Sequence, residues 1–501
     1  MSGVYDVAVV GDEVESVLTA VSAARFGART ALIHPRGAGN GLGGLSTRGG
    51  LCYMDITPGL WGALFAEFLT RAGVRRVALY APAANEALVT MLHESGASVY
   101  ARQAVTPRWE ADDRRWRLDD PSGKGRPLFA RILIDATPDA DIARALKVRY
   151  TEGLGGLFGP ECNFLGVTPV FQTQGVDREG LIAFEASLRQ SPRAADYLAA
   201  GLPHLTPIQR EELLVRPVVS PPDDDYIDIL NPLIGVAFHV WRGAAASDYP
   251  QAEIAVDGFN IARLPNETLG FNGLVMRGRD LDSLLRYSRG EGRWPQGLQE
   301  ALQDFERFLQ DAGGFRRARV LAPQALYVRQ TLNIQSRRMM TAGQALGGGV
   351  EAEDAIGAYS YWLDLRGITL AAHYPGESLA KPLFNVGLGP ALALLPGGPM
   401  AGDGRFAVVG RSAGYSPLGQ GAGRIIQHNA LLGEAVGIAA GMMARTRARL
   451  SEAIPGEIRA VMTARGMPPA KGRAVEDAEV IAQSALLQAD AEVTARLQAG
   501  V

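Results

Sequence analysis

Acid–base chemistry near neutral pH calls for histidine, carboxylates or a positioned arginine. The chain carries six histidines. His239 sits in the apolar run VAFHVW (236–241), three residues before Arg242. A His–Arg pair can orient a carboxylate or polarise a carbonyl, so His239 and Arg242 are candidate catalytic residues. His373, in Ala-Ala-His-Tyr-Pro, is another candidate, whereas His93, His204 and His428 read as structural. Asp135, Asp139 and Asp141 are close enough to suggest a metal, but carboxylates just after a strand more simply cap the next helix. No Ser-His-Asp spacing, HExxH, Walker A loop or Cys/His cluster occurs, so hydrolase and metalloenzyme readings have no positive support and no metal is expected. Cys52 and Cys162 are too few for a disulfide framework and are expected to be reduced.

A second group of residues concerns nucleotides. Gly11, Glu13 and Ser16 occupy the three fixed positions of a G-x-G-x-x-G turn. There the first glycine makes the bend, the second admits a pyrophosphate against the backbone, and the third lets helix and strand pack. Ser16 is small enough for the third role. Glu13 puts a Cβ and a carboxylate where a diphosphate would sit, and Asp12 and Glu15 add two further acids. One like-charge pair at ~4 Å costs about 1 kcal/mol in water and ~4 kcal/mol at an effective dielectric of 20. The acids suit the positive end of the following helix and would satisfy the dipole that an anionic cofactor uses. A ribose-binding acid is expected about 20 residues further on. His34 stands there instead, followed by Pro35 and Arg36, and Arg36 could take a 2′-phosphate. The Gly-rich segment 36–50 would let backbone approach a ligand closely.

These residues must be held by a βαβ unit. Residues 7–10 are continuously apolar, as in a strand buried on both faces. Residues 18–26 read as a closely packed helix stopped by Gly27, and residues 30–33 as a second strand. Helices are expected over 59–72 and 83–95, and strands over 99–102, 105–110, 116–118 and 128–134. Residues 153–345 change character, with Pro217, Pro221 and Pro222, alternating strands that include one through His239, and a helix near 297–312. From Phe406 the earlier pattern returns: a strand over 406–409, Gly410, then a long helix from about Gly423. The expected fold class is α/β: a doubly wound dinucleotide-binding domain of discontinuous segments (1–152 and 346–450), an inserted mixed β/α substrate domain (153–345) and a C-terminal helical segment (451–501).

Five separated stretches carry a resemblance. They are YDVAVVG (5–11), GLGGLSTRGGL (41–51), ILIDATPDAD (132–141), VRQTLNI (328–334) and FAVVGRSAGYSPLGQGAGRIIQHNALLGEAVGIAAG (406–441). In order and spacing they resemble a family of FAD-dependent oxidoreductases with a glutathione-reductase-type flavin domain, over nearly the whole chain. The last stretch is the most specific. The chain departs from the family at Asp12, Glu13 and Glu15, lacks the ribose acid, and has Pro138 for the usual glycine and Leu332 for a second arginine. The resemblance implies FAD as cofactor. Gly43, Gly44, Ser46 and Thr47 would run past its diphosphate and ring, Thr137 and Asp139 would end the third contacting strand, and Gly410 and Arg411 would lie near the diphosphate and ribityl chain. A helix starting near Gly423 would face the pyrimidine edge of the isoalloxazine and stabilise charge arriving there with a hydride. The resemblance makes Arg329 a fourth catalytic candidate. The implied activity is hydride transfer between a small organic substrate and flavin N5. The competing class is a non-enzymatic binding module that has kept the fold and lost its flavin.

Composition sets the remaining bounds. The 501 residues are 47% hydrophobic and 21% charged, as in ordinary globular proteins. A net charge of −3 gives no pull toward nucleic acid or an acidic membrane. Only Lys124, Lys147, Lys381 and Lys471 are lysines, which reads as base composition rather than function. The apolar stretch 425–443 is broken by Gln427, His428, Asn429 and Glu434, and so reads as a buried helix rather than a membrane span. No basic segment precedes an apolar one at the N-terminus, so no signal peptide and a cytoplasmic setting are expected. The expected partner is a small-molecule substrate, with neither nucleic acid nor membrane; the oligomeric state stays open.

Overall fold

The computed structural model describes the chain except residues 1–2, 35–40, 55–59, 102–103, 124, 204, 216–224, 230, 367–380, 469–470, 476–483 and 500–501. Arg36, His204 and His373 therefore lie outside the described residues.

The N-terminal apolar run becomes β1 (Tyr5–Val10), followed by β2 (Thr30–His34), β3 (Ser98–Ala101), β4 (Thr106–Glu110), β5 (Arg115–Asp119) and β6 (Leu128–Asp135). Their order in the sheet is β3-β2-β1-β6-β5-β4. The first four of these are parallel, with Val7 opposite both Thr30 and Ile132. The strand Phe406–Val408 joins in parallel, Phe406 lying opposite Leu133. It shares one edge of β6 with β5, which pairs antiparallel at Leu128–Ala130. Strands expected at residues 7, 30, 132 and 406 thus lie in one mainly parallel sheet, because each is apolar on both faces and is covered on both sides.

α1 (Val14–Arg25) returns from β1 to β2. Its N-cap is Glu13, whose backbone N–H donates to Ser16 Oγ at 3.1 Å, while Ser16 Oγ donates to the Ala136 carbonyl at 2.7 Å. Ser16 therefore ties helix to sheet at the place where a third glycine would let them touch. A 21-residue helix, Ile426–Thr446, packs along α1. Gly433, Gly437 and Gly441 face it at four-residue spacing. A Cβ on Gly437 would come within 2.5 Å of the Thr19 carbonyl oxygen. Among the described residues no helix is long and apolar enough to cross a membrane.

The strands of a second, antiparallel sheet all fall between residues 164 and 328, in the order Tyr226–Ile229, Ile254–Arg263, Leu269–Gly278, Phe164–Thr168, Tyr327–Val328. Phe171–Gln174 and Arg319–Leu321 extend it. Its core is phenylalanine-rich, with Phe171 stacked on Phe271 at 5.2 Å and both against Phe305. The helix expected near 297–312 is Gln296–Asp311. The run VAFHVW is a correction: it belongs to a helix, Leu233–Trp241, rather than a strand. Gly235 lets that helix sit directly on the Val256 carbonyl of the sheet, so the run is apolar on every side as a buried helix rather than as a strand.

Candidate functional site

Two cavities lie where the sheets meet their loops. The first, about 450 Å3, opens at the carboxyl ends of β1, β2 and β6 and is lined by Val10, Ile33, Val105, Thr137 and Pro138. Open α/β sheets bind ligands at this kind of crevice. His34 ends β2 there and is buried.

Beside this cavity stands the acidic turn, fully packed. Glu13 Oε2 accepts the Leu45 N–H at 2.8 Å, and a methyl group on Gly44 would collide with the same carboxylate. Gly43 takes a left-handed conformation, which an L side chain would strain. Asp12 pairs with Arg48 at 2.6 Å, both buried. Glu15 turns toward the other loop: a Cβ on Gly410 would lie 3.2 Å from its Oε1. Burial, then the neighbouring Asp12, raises Glu13 above the ordinary carboxylate range. Burial, then Glu13, pushes Glu15 up to about 8. Both acids are therefore shifted toward their neutral forms, which weakens the repulsion expected from their sequence alone.

The remaining sequence-predicted cofactor residues follow the same track. Thr137 Oγ1 donates to Asp135 at 2.7 Å, and Asp135 also accepts the Ala143 N–H at 2.8 Å, the capping role expected for it. Asp139 and Arg411 bond each other at 2.7 Å, and Arg411 also reaches Ser288 at 2.6 Å. Gly423 lies in a short turn, Gln420–Gly423, against the Tyr415 ring; the long helix begins later, at Ile426, because the chain breaks at Ile425. Thr47 closes a tight turn on Gly44. Cys52 is buried and its thiol is pushed up to about 12, so it is an inert thiol at neutral pH.

The fit to a flavin dinucleotide can be read from the atoms that lack partners. Ser46 Oγ, Asp139 Oδ2, Arg411 Nε and Gln420 Oε1 are buried without a hydrogen bond. An unmet buried polar atom costs about 1–3 kcal/mol. All four lie on the segments that the resemblance gives to FAD, and none of them lines either of the two cavities. The cavity lies at the sheet end where a dinucleotide binds, and the upward shift of Glu13 and Glu15 eases the approach of a diphosphate to their turn.

The second cavity is a cleft of about 1010 Å3 against the antiparallel sheet, lined by Asp228, Phe259, Asn272 and Tyr327 from its strands and by Tyr53, Trp61 and Val77 opposite. Ile425, Ile426 and Gln427 bring the start of the long helix to its wall. Arg329 lies there, 2% exposed. It donates to the Gly166 carbonyl at 2.9 Å and to Thr168 Oγ1 at 2.7 Å, and stacks over Tyr327 at 4.5 Å. Burial, with help from Arg366 and Arg424, lowers it to about 10. Of the four catalytic candidates, the structure brings Arg329 to the cleft. His239 and Arg242 do not line it. Arg242 is held by Asp304 at 2.9 Å, and His239 packs edge-on against Tyr249. His373 lies outside the described residues.

Sequence reasoning missed Arg424, Arg366 and Asp364. Arg424 bonds Asp364 at 2.6 Å and the Tyr327 hydroxyl at 2.7 Å, and Arg366 bonds Asp257 at 3.1 Å. Arg424 stands inside the 406–441 stretch, where spacing drew attention to the glycines alone. Nothing local marks Arg366, whose partner is more than a hundred residues away.

A family profile described as FAD dependent oxidoreductase matches residues 6–462. A search of curated proteins found no match. Among solved structures, p-nitrophenol 4-monooxygenase PnpA from Pseudomonas putida DLL-E4 is 12% identical, with a TM-score of 0.42, over 99% of this chain and 94% of that one. A point mutant of the halogenase PltM, in complex with FAD, is 11% identical, with a TM-score of 0.39, over 92% and 74%. Lactococcus lactis thioredoxin reductase is 18% identical, with a TM-score of 0.20, and this chain spans 35% of its length.

Proposed function

Because the chain belongs to the FAD dependent oxidoreductase family, whose cofactor is FAD, we propose that it transfers a hydride between a small organic substrate and flavin N5, with the substrate in the 1010 Å3 cleft. When bound, FAD supplies the two-electron acceptor or donor. Ser46, Asp139, Arg411 and Gln420 would hold it through their unmet polar atoms. The N-terminus of the Ile426–Thr446 helix would favour negative charge at the cleft wall. Arg329 and Arg424 would orient the substrate, and the surrounding tyrosines would limit water.

The observation carrying this reading is the meeting of that helix start with a buried arginine in one cleft. A visible spectrum of the purified protein, before and after incubation with FAD below pH 7, tests it. Flavin absorbance that bleaches under anaerobic dithionite and returns in air supports a redox protein. The second reading, a binding module without flavin, draws on the Glu13 contact with the Gly44–Leu45 backbone. A colourless protein that takes up no FAD even at low pH would favour it.

A further inference from the structure

Charge in the cleft runs against the charge of the chain. The protein carries a net charge of −3, yet the cleft is lined by six cationic side chains, Arg75, Arg76, Arg329, Arg366, Lys381 and Arg424, and three acidic ones, Asp228, Asp257 and Asp364. The acids are already engaged. Asp364 holds Arg424, Asp257 holds Arg366, and Asp228 accepts from the Tyr53 hydroxyl at 2.8 Å.

Arg329 differs from its neighbours. Its partners are a carbonyl, a hydroxyl and, at 3.4 Å, the Asn272 side-chain oxygen. No carboxylate among the described residues lies within ion-pair distance of it. Burying a guanidinium with only neutral partners is costly, and a cation so placed is stabilised by an incoming anion. Two of its contacts fix the Nη1 side of the fork, and the ring of Tyr327 covers one face. Five aromatic side chains share the wall with these charges: Tyr53, Trp61, Tyr226, Tyr361 and Trp362.

We infer that the cleft selects an organic acid with a flat, apolar body, its carboxylate on Arg329 and its body between the aromatic walls. This deepens the proposed function and rests on the cleft being the substrate site. Charge-assisted bonds from a buried guanidinium to a carboxylate give the discrimination, and a neutral isostere loses them.

Titration calorimetry of the purified protein with benzoate and with benzamide, at matched ionic strength, tests this without turnover. Benzoate should bind at least about tenfold more tightly than benzamide, and Arg329→Gln should abolish that preference. Near-UV circular dichroism reports whether the variant keeps its packing. If it does not, the wild-type comparison alone decides. Equal affinity for the two probes, or no heat from either at millimolar concentration, overturns the inference. A benzoate preference that survives in well-packed Arg329→Gln also overturns it. The readout does not involve flavin, so a colourless protein that prefers benzoate would sink the redox reading and leave this one standing.

Discussion

Glu15 is a buried carboxyl at the turn where the resemblance puts the FAD diphosphate. Its oxygen faces the Gly410 turn, and Asp12, Glu13, Arg411 and Tyr415 form its electrostatic surroundings. Its pKa of about 8 means that the neutral form dominates at pH 7. A diphosphate placed beside it would favour that form further. By linkage, FAD affinity should be flat below about pH 8 and fall by about tenfold per pH unit above it, until the pKa of the complex is passed. Glu15→Gln should keep the low-pH affinity and lose the slope. Quenching of FAD fluorescence on either side of that pH measures both. An unchanged slope in the variant would show that Glu15 does not face the diphosphate. Three acids in a glycine turn are plain in the sequence; their protonation is not, because it depends on burial by Gly44 and Gly410, some 30 and 400 residues away.

Helix packing sets where those residues stand. Gly433, Gly437 and Gly441 form a small-residue seam on the long helix, and Ser22 Oγ crosses it to the Glu434 carbonyl at 2.7 Å. Gly437→Val would force the helix off Thr19 and Ser22. Overpacking of this kind costs about 1–3 kcal/mol. Chemical denaturation should show that loss with little change in slope; an undiminished midpoint would mean the seam is loose. Elements whose pattern has one reading were legible: β1, β2, the carboxyl half of β6 and Phe406–Val408 are short, largely apolar runs. The Leu233–Trp241 helix was not, since a nine-residue run broken only by His239 suits a buried helix as well as a strand, and only contact with Val256 settles which. The cleft was legible at Arg329 alone, because Arg366 and Asp364 meet their partners through the fold rather than through any spacing.

Several buried carboxyls couple the whole molecule to pH. Burial pushes Glu15 to about 8 and Asp135 and Glu434 to about 7, all above their ordinary values. Groups raised on folding contribute stability that is present below their unfolded pKa and is lost as pH rises through the folded one. His428 acts oppositely: burial lowers it to about 4, so its penalty is felt in acid and has gone by about pH 6.5. The thermal midpoint of FAD-free protein should therefore fall between about pH 6.5 and 8, and Glu434→Gln should shrink the fall. A midpoint rising over that interval in differential scanning calorimetry would contradict these burial effects.

The divided edge of β6 has a consequence for biosynthesis. Half of that edge is taken by β5, its near neighbour in sequence; the other half waits for Phe406–Val408. At about 5–20 residues per second, the ribosome needs on the order of 15–50 seconds to reach that strand after completing β6. In that interval the whole antiparallel sheet emerges and can fold, while the carboxyl half of β6 presents bare backbone to any passing strand. The nascent chain thus carries an open seam in its mainly parallel sheet until the antiparallel sheet has been made.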